Sequence, residues 1–175
     1  MSDSGIYVAR HGQTAYNAEH RFQGHLPVPL DATGRAQAED LAERAVPYGF
    51  TVLYASPLER ALETARIVAA RVGLDPRLDP RLAETDCGDW TGRSMAEMQA
   101  EAPDLFQRWV DGNLGFRFPG GESFGEQAER VQAAIADIRA APERPALVVC
   151  HRHTMRFALG DDWRPIANAK IVPLT

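Results

Sequence analysis

Short apolar runs that each end at a polar residue constrain the fold of this 175-residue chain more than any other feature. The runs are Ile6–Ala9, Thr51–Ala55 and Ala146–Cys150. Each run is almost entirely apolar, which is typical of a strand that is buried on both faces. Strands of this kind belong to parallel sheets whose two faces are covered by helices.

Segments with helical signals separate these runs. Thr33–Val46 carries apolar residues at helical spacing and predicts one helix. Three capping boxes, each a Ser followed three residues later by a Glu, predict the starts of further helices at Ser56, Ser94 and Ser123. We expect the first of these helices to end at Gly73.

The remaining segments carry weaker signals. Gln13–Asp31 has no clear period and contains two prolines, so we expect an extended loop. Gly112–Gly121 is rich in glycine and is predicted to be a mobile loop rather than a domain boundary. We expect the helix from Ser123 to stop near Pro142, and Ile171-Val172 to form a short last strand.

This alternation predicts an α/β fold, a three-layer α/β/α sandwich with a mostly parallel central sheet and helices on both faces. No repeat or linker is seen, so we expect residues 1–175 to form a single domain. In such sheets ligands bind at the carboxyl ends of the strands. Arg10-His11, Ser56–Arg60 and His151 follow strands directly and are therefore candidate functional residues.

Composition and charge narrow the class of protein. The net charge of −5 argues against a general nucleic-acid binder, because phosphate backbones require a basic surface. No apolar stretch is long enough to cross a membrane and no secretory signal pattern is seen, so we expect a cytoplasmic protein without a membrane partner. Of the 19 basic residues all but Lys170 are Arg, the better bidentate partner for phosphate.

Two other chemistries compete for the segment after the third strand. Cys150 and Arg156 fit the C-x5-R spacing of cysteine-dependent phosphatases, but the loop between them lacks the glycines that cradle phosphate. Cys150 is therefore better interpreted as a buried apolar residue. His151 and His153 resemble half of a metal site, but no second ligand cluster supports it, and we predict no metal.

The candidate residues lie within sequence blocks that resemble the histidine phosphatase superfamily, the phosphoglycerate-mutase-like proteins. The resemblance covers nearly the whole chain. The Arg-His-Gly triplet alone is a weak signal, whereas the order and spacing of all the blocks is specific. The blocks are Val8–Thr14, Arg21–Gly24, Ala55–Ala61, Leu82–Glu84, Gly88–Gly92, Pro119–Ser123 and Val148–His151.

The resemblance implies a role for each matched residue. His11 would be the nucleophile that becomes phosphorylated, and Glu84 would protonate the leaving alcohol. Arg10, Arg60 and a protonated His151 would hold the phosphoryl oxygens. Glu84 must then carry a proton at neutral pH, so we expect its pKa to be raised. The other implied residues are Asn17 for phosphate binding and Gln23, Gly24, Glu122, Ser123 and Arg152 for substrate binding.

The implied function is a metal-independent phosphomonoester hydrolase that acts on a small phosphorylated metabolite, without a cofactor. Two alternatives stay open: a phosphoglycerate mutase and a catalytically impaired phosphate-binding module. Monomer and homodimer are both open. The chain departs from the family at Arg152-His153, where two glycines are usual, and its C-terminal part is short. If Arg152 points inward, it would favour substrates with a second anionic group.

Overall fold

One five-stranded sheet organises the computed structural model, which describes residues 4–174 except the side chain of residue 162. The strands are β1 (Ile6–Arg10), β2 (Val52–Ala55), β3 (Pro76–Leu78), β4 (Ala146–Cys150) and β5 (Ile171–Pro173). Their order is β3-β2-β4-β1-β5. The first four are mutually parallel, and only β5 runs antiparallel, along β1. This confirms the predicted mostly parallel sheet.

Helices lie on both faces of the sheet. They are α1 (Ala15–Ala18), α2 (Ala32–Ala45), α3 (Glu59–Val72), α4 (Met95–Glu101), α5 (Pro103–Asp111), α6 (Phe124–Ala140) and α7 (Arg152–Leu159). Within the described part of the chain, none of them has the length and apolar character needed to cross a membrane.

The side chains of β4 show how the sheet separates two cores. Leu147 and Val149 pack with the apolar faces of α2 and α3. Ala146, Val148 and Cys150 alternate with them and pack with α6 and α7 on the opposite face. All five β4 residues are at most 1% exposed, as expected for a strand covered on both sides. The predicted three-layer α/β/α sandwich is thereby confirmed.

The segment Gly112–Gly121 is part of the second core, which corrects its interpretation as a mobile loop. Phe116 and Phe118 are fully buried, with ring centroids 4.9 Å apart. Both also contact Trp90, and these ring contacts hold the segment in the core. The glycines suggested mobility, but the two aromatic side chains between them supply the packing that orders it.

Helix starts follow the capping predictions in two places and depart from them in one. Ser94 and Ser123 form complete capping boxes with Glu97 and Glu126. The predicted box at Ser56 is wrong, because residue 58 is still extended and α3 begins at Glu59. The Ser56 hydroxyl instead accepts the N–H of residue 58 and bonds to a histidine on the neighbouring strand end.

Local elements missed in the sequence have weak signals of their own. The predicted extended loop Gln13–Asp31 contains α1, whose capping box uses Asn17 where Glu is usual. Strand β3 lies at the sheet edge and is mostly exposed, so it lacks an apolar run. The two predicted helix ends are confirmed. Gly73 ends α3 with φ of 74°, and α6 ends at Ala140.

Candidate active site

The loop after β1 places a neutral imidazole at the carboxyl edge of the sheet. His11 is 3% exposed, and its Nδ1 lies 2.6 Å from the carbonyl oxygen of Gly12. A carbonyl only accepts, so Nδ1 carries the proton and Nε2 keeps its lone pair. Burial, and then the charges of Arg60 and Arg10, hold the pKa of His11 well below its usual range. The imidazole is therefore uncharged at neutral pH.

The C-terminal segment fixes the end of this strand. The side-chain amide of Asn168 donates to the His11 carbonyl at 2.9 Å. The N–H of Ala169 donates to the Arg10 carbonyl at 3.0 Å, and the Lys170 carbonyl accepts the Arg10 N–H at 3.4 Å. These bonds hold the backbone of both candidate residues. The end of β1 is therefore fixed by the C-terminal segment as well as by its pairing with β4.

A glycine in this loop and a glycine in helix α2 allow the helix to approach the loop closely. A Cβ atom at Gly12 would lie 2.3 Å from the carbonyl oxygen of Gly34, far inside van der Waals contact. A Cβ atom at Gly34 would lie 1.9 Å from the Gln13 carbonyl oxygen. Only glycine permits this approach at either position.

Arg10 and Arg60 bring two cations to His11. Arg60 lies in the first turn of α3, is 1% exposed, and donates to the carbonyl of Gly24 at 3.0 Å. Arg10 donates to the carbonyl of Ile166 at 3.0 Å. The Nε of each guanidinium is buried and lacks an acceptor among residues 4–174. Burial lowers the pKa of Arg60 to about 10, so it stays charged at neutral pH. Buried cations with spare donors favour an anion between them.

His151 completes the group from the end of β4. Its ring centroid is 5.1 Å from that of His11, and its Nε2 is hydrogen-bonded to the Ser56 hydroxyl at 2.7 Å. Its Nδ1 is buried and unpartnered within the described structure. Burial, followed by the charges of Arg60 and His11, holds the pKa of His151 well below its usual range. The expected protonated His151 is therefore wrong for the unliganded site, where this ring is neutral.

The carboxylate of Glu84 is held on both oxygens. Oε1 accepts the Thr85 N–H at 3.0 Å and the side-chain amide of Gln127 at 3.1 Å. Oε2 accepts the backbone N–H of His153 at 3.3 Å, and the His153 Nδ1 lies 3.6 Å from Oε1. Among residues 4–174 this backbone N–H is the one donor to Oε2, which therefore keeps a lone pair free.

The electrostatics of Glu84 differ from the sequence expectation. Burial raises the pKa of Glu84, but the interactions with His153, His151 and Arg60 together outweigh it and leave that pKa well below the usual range. The expected raised pKa is therefore wrong for the unliganded site. Burial and a nearby phosphate were the expected causes of a raised pKa, and the sequence gives no sign that His153 lies against the carboxylate. A bound phosphoryl dianion would repel the carboxylate and raise its pKa.

Glu122 and Ser123, predicted to bind substrate, do not line the pocket. Glu122 forms a bidentate ion pair with Arg130, at 2.6 and 2.8 Å. Arg130 in turn donates to the carbonyl oxygens of Ala83 and Glu84, at 2.7 and 3.0 Å. The Ser123 hydroxyl caps α6, the helix that carries Arg130. Both residues thus support the backbone around the pocket and are not part of its lining.

The other predicted binding residues do line the pocket. They are Asn17, Gln23, Gly24 and Arg152. The Asn17 carboxamide accepts the backbone N–H of Thr14 at 3.1 Å, and Gln23 accepts the Thr14 hydroxyl at 2.9 Å. The pocket is also lined by His153, which the sequence marked as a departure from the family, and by residues for which it predicted no role: Arg21, Phe22, Cys87, Met95 and Trp109. They come from separate loops and helices, and no common spacing connects them.

Gln127 and Asn168 were missed, although each bonds to a candidate residue. Ser56 was among the candidate residues Ser56–Arg60, and its hydroxyl bonds to His151. Of the two missed residues, one carries a signal in the sequence. Gln127 is a polar residue on the apolar stripe of α6, and it is fully buried. Asn168 lies in a segment without regular structure and has no such signal.

The competing chemistries find no support in the geometry. Cys150 is 1% exposed in a central strand, and burial raises the pKa of its thiol. Arg156, its partner in the C-x5-R spacing, bonds instead to the carbonyl of Gly112. The residues between them form the start of α7 rather than a phosphate cradle. Across residues 4–174, no cluster of three His, Cys, Asp or Glu side chains is grouped to hold a metal ion.

Comparison with known proteins places this arrangement in a family. The model of the histidine phosphatase superfamily (branch 1) matches residues 6–164. A probable phosphoglycerate mutase, GpmB, of Enterobacter sp. (strain 638) is 45% identical over 145 residues, which are 82% of this chain and 67% of that protein.

Solved structures agree with the sequence match. A mycobacterial glucosyl-3-phosphoglycerate phosphatase in complex with VO3 superposes with a TM-score of 0.87 and 32% identity, covering 95% of this chain and 90% of that one. A phosphoglycerate mutase from Thermus thermophilus superposes with a TM-score of 0.75 and 31% identity, covering 96% and 91%. With the family model spanning most of its length and both kinds of relative sharing its fold, the chain belongs to the histidine phosphatase superfamily.

Proposed function

We propose that this protein is a phosphatase that hydrolyses a small phosphomonoester through a phosphohistidine at His11. The observation that carries the proposal is one pocket lined by a neutral His11, the cations Arg10 and Arg60, and the carboxylate of Glu84. Phosphoryl transfer depends mainly on positioning and on positive charge around the phosphoryl oxygens. The pocket supplies both from side chains.

The first half-reaction transfers the phosphoryl group to the enzyme. The lone pair of His11 Nε2 forms the N–P bond while the ester P–O bond breaks, and Arg10 and Arg60 bind the equatorial oxygens. Nδ1 of His151 is the ring nitrogen left for a further oxygen, since its Nε2 is engaged by Ser56. Glu84, protonated once the phosphoryl dianion raises its pKa, gives its proton to the leaving alcohol.

The second half-reaction returns the enzyme to its starting state. The Glu84 carboxylate removes a proton from water, and the water oxygen attacks phosphorus as the N–P bond breaks. Inorganic phosphate leaves, and the electron pair of the broken bond restores neutral His11. Glu84 ends protonated and loses that proton as the phosphate departs, because the repulsion that raised its pKa departs too.

The test is to trap and locate the phosphoryl group. Rapid acid-free quenching after mixing with a 32P-labelled ester should give a protein-bound label that is stable to alkali and labile to acid, as expected of phosphohistidine. His11→Asn should abolish labelling and turnover, whereas Cys150→Ser should keep both. Labelling that survives in His11→Asn would refute the assignment. Phosphate binding without turnover in the unmodified protein would identify a binding module.

A phosphoglycerate mutase is the second candidate, favoured by the 45% identity to a probable enzyme of that kind. Both reactions use the same phosphohistidine and differ in the acceptor of the phosphoryl group. Incubation with 3-phosphoglycerate separates them: a phosphatase releases inorganic phosphate, whereas a mutase forms 2-phosphoglycerate. We expect phosphate to be the main product.

A further inference from the structure

Arg152 is a cation beside the phosphate pocket. Within residues 4–174 its side chain forms no ion pair and no hydrogen bond. It is half-buried at the first position of α7 and lines the same pocket as Arg10 and His11. Its donors are therefore available to an anion that binds in the pocket.

A second cavity adjoins the pocket at Arg152. The two spaces share Trp109, Arg152 and His153 in their walls, so they lie side by side at Arg152. Arg156 and Trp163 form further walls of the second cavity.

Arg156 is held rigidly in the wall of this cavity. It donates to the carbonyl of Gly112 at 2.5 Å. Its guanidinium carbon lies 5.5 to 5.8 Å from the ring centroids of Phe124, Phe157 and Trp163. A side chain fixed in this way loses little further freedom when it binds a ligand.

The charges around the second cavity are unbalanced. Burial lowers the pKa of Arg156 because it disfavours the charged form. The nearby Arg152 lowers it further, because the two guanidinium groups repel one another. Asp111 is the acidic side chain in this wall; it is exposed and is already bonded by Gln107 at 2.8 Å. The two negative charges of a phosphoryl group are balanced by the positive charges of Arg10 and Arg60. The positive charges of Arg152 and Arg156 are then left without a balancing anion, although the net charge of the whole chain is −5.

We propose that this second cavity is a subsite for another anionic group, a carboxylate or a phosphate, on the alcohol part of the substrate. Arg152 is its main contact and Arg156 its fixed second cation. The inference rests on the proposed phosphatase function and names the substrate class: phosphomonoesters that carry a second anion. Arg suits this role because its planar donors bind carboxylate and phosphate in a bidentate manner.

Matched substrates test the subsite without changing the reacting group. 3-Phosphoglycerate and glycerol 3-phosphate differ by one carboxylate, and glycerol 1,3-bisphosphate adds a second phosphate to the latter. We expect kcat/KM to favour the doubly anionic ester of at least one pair, and the pair that responds identifies the anion. Arg152→Gln should reduce that preference about 10–100-fold, and Arg152→Lys by less, since it keeps the charge.

Controls separate this effect from misfolding and from loss of the basic reaction. Arg66→Gln makes the same change in charge at an exposed position of α3 and should leave the preference unchanged. Thermal melting checks that Arg152→Gln is folded. Equal preference in the unmodified protein and Arg152→Gln would overturn the subsite, while His11 phosphorylation in the same samples would leave the proposed function standing. Absence of turnover of every ester would overturn both.

Discussion

At the scale of single residues, the contact between His153 and Glu84 sets the behaviour of the proposed acid. Members of the family usually have glycine at this position, as the resemblance implies. The side-chain part of the contact therefore depends on the histidine of this chain. The His153 ring lies among aromatic rings, with centroids 5.1 Å from Phe124 and 6.3 Å from Trp109. Other charged or titratable groups that interact with Glu84 include His151, Arg60, Arg10 and His11.

His153→Gly should make Glu84 a better acid donor near neutral pH. Removing the histidine leaves burial less opposed, so the pKa of Glu84 rises and more of it is protonated. We expect kcat for glycerol phosphate, relative to p-nitrophenyl phosphate, to rise at pH 8 and to depend less on pH. Taking this ratio cancels the ionisation common to both phosphates.

Glu84→Gln is the matched control for that measurement. It should depress glycerol phosphate hydrolysis on the order of 10²–10⁴-fold while affecting the activated aryl ester far less. A lower ratio in His153→Gly with the same pH profile would show that His153 positions the carboxylate and does not govern its proton.

At the scale of elements, helix α6 holds the segment around Glu84 in place through one side chain. Arg130 projects from it to three backbone carbonyls, those of residues 81, 83 and 84, and to Glu122. Arg130→Met removes these donors and leaves the Glu122 carboxylate, 16% exposed, without its cation. We expect a loss of roughly 2–4 kcal/mol in the free energy of unfolding, with a lower kcat.

Chemical denaturation and steady-state kinetics on the same samples check this. Arg117→Gln is the control, since the ion pair between Arg117 and Glu126 is more than half exposed and contributes little. A variant at Arg130 that is as stable and as active as the unmodified protein would show that the segment is held by its core packing alone.

The same scale shows what the sequence can predict. Capping at Ser94 and Ser123 depends on residues three positions apart, so the local pattern was sufficient. Ser56 carried the same pattern, but its hydroxyl bonds to His151, 95 residues away, and such a partner has no local signal. The strand-end rule located Arg10, His11 and His151, because topology fixes where strands end. It gave no sign of the contact between His153 and Glu84, because side-chain pairing depends on packing.

At the scale of the whole molecule, the buried neutral histidines make stability depend on pH. The pKa values of His11 and His151 are lowered in the folded state, while an unfolded histidine titrates near 6.5. Below about pH 6.5 the unfolded chain therefore binds protons that the folded chain does not, and stability falls as pH falls. Each histidine contributes up to about 1.4 kcal/mol per pH unit.

We expect the unfolding midpoint in denaturant to drop between pH 7 and pH 5, and His11→Asn to drop less steeply. The lowered pKa of Glu84 adds its effect only at more acidic pH, near the unfolded value of about 4.3. Phosphate at 100 times its dissociation constant should restore about 2.7 kcal/mol at either pH. A flat profile from pH 7 to 5 would mean that these rings are not buried neutral groups.

The bonds from the C-terminal segment to the end of β1 have a practical consequence. Lys170, the only lysine in the sequence, is exposed in this segment, and its carbonyl accepts the N–H of Arg10. An amine-reactive fluorophore has a single lysine to modify, besides the terminal amine. It would attach one residue from the Ala169 N–H that holds the Arg10 carbonyl. The dye would then serve as an optical reporter of the backbone that carries the nucleophile, placed there without an engineered cysteine.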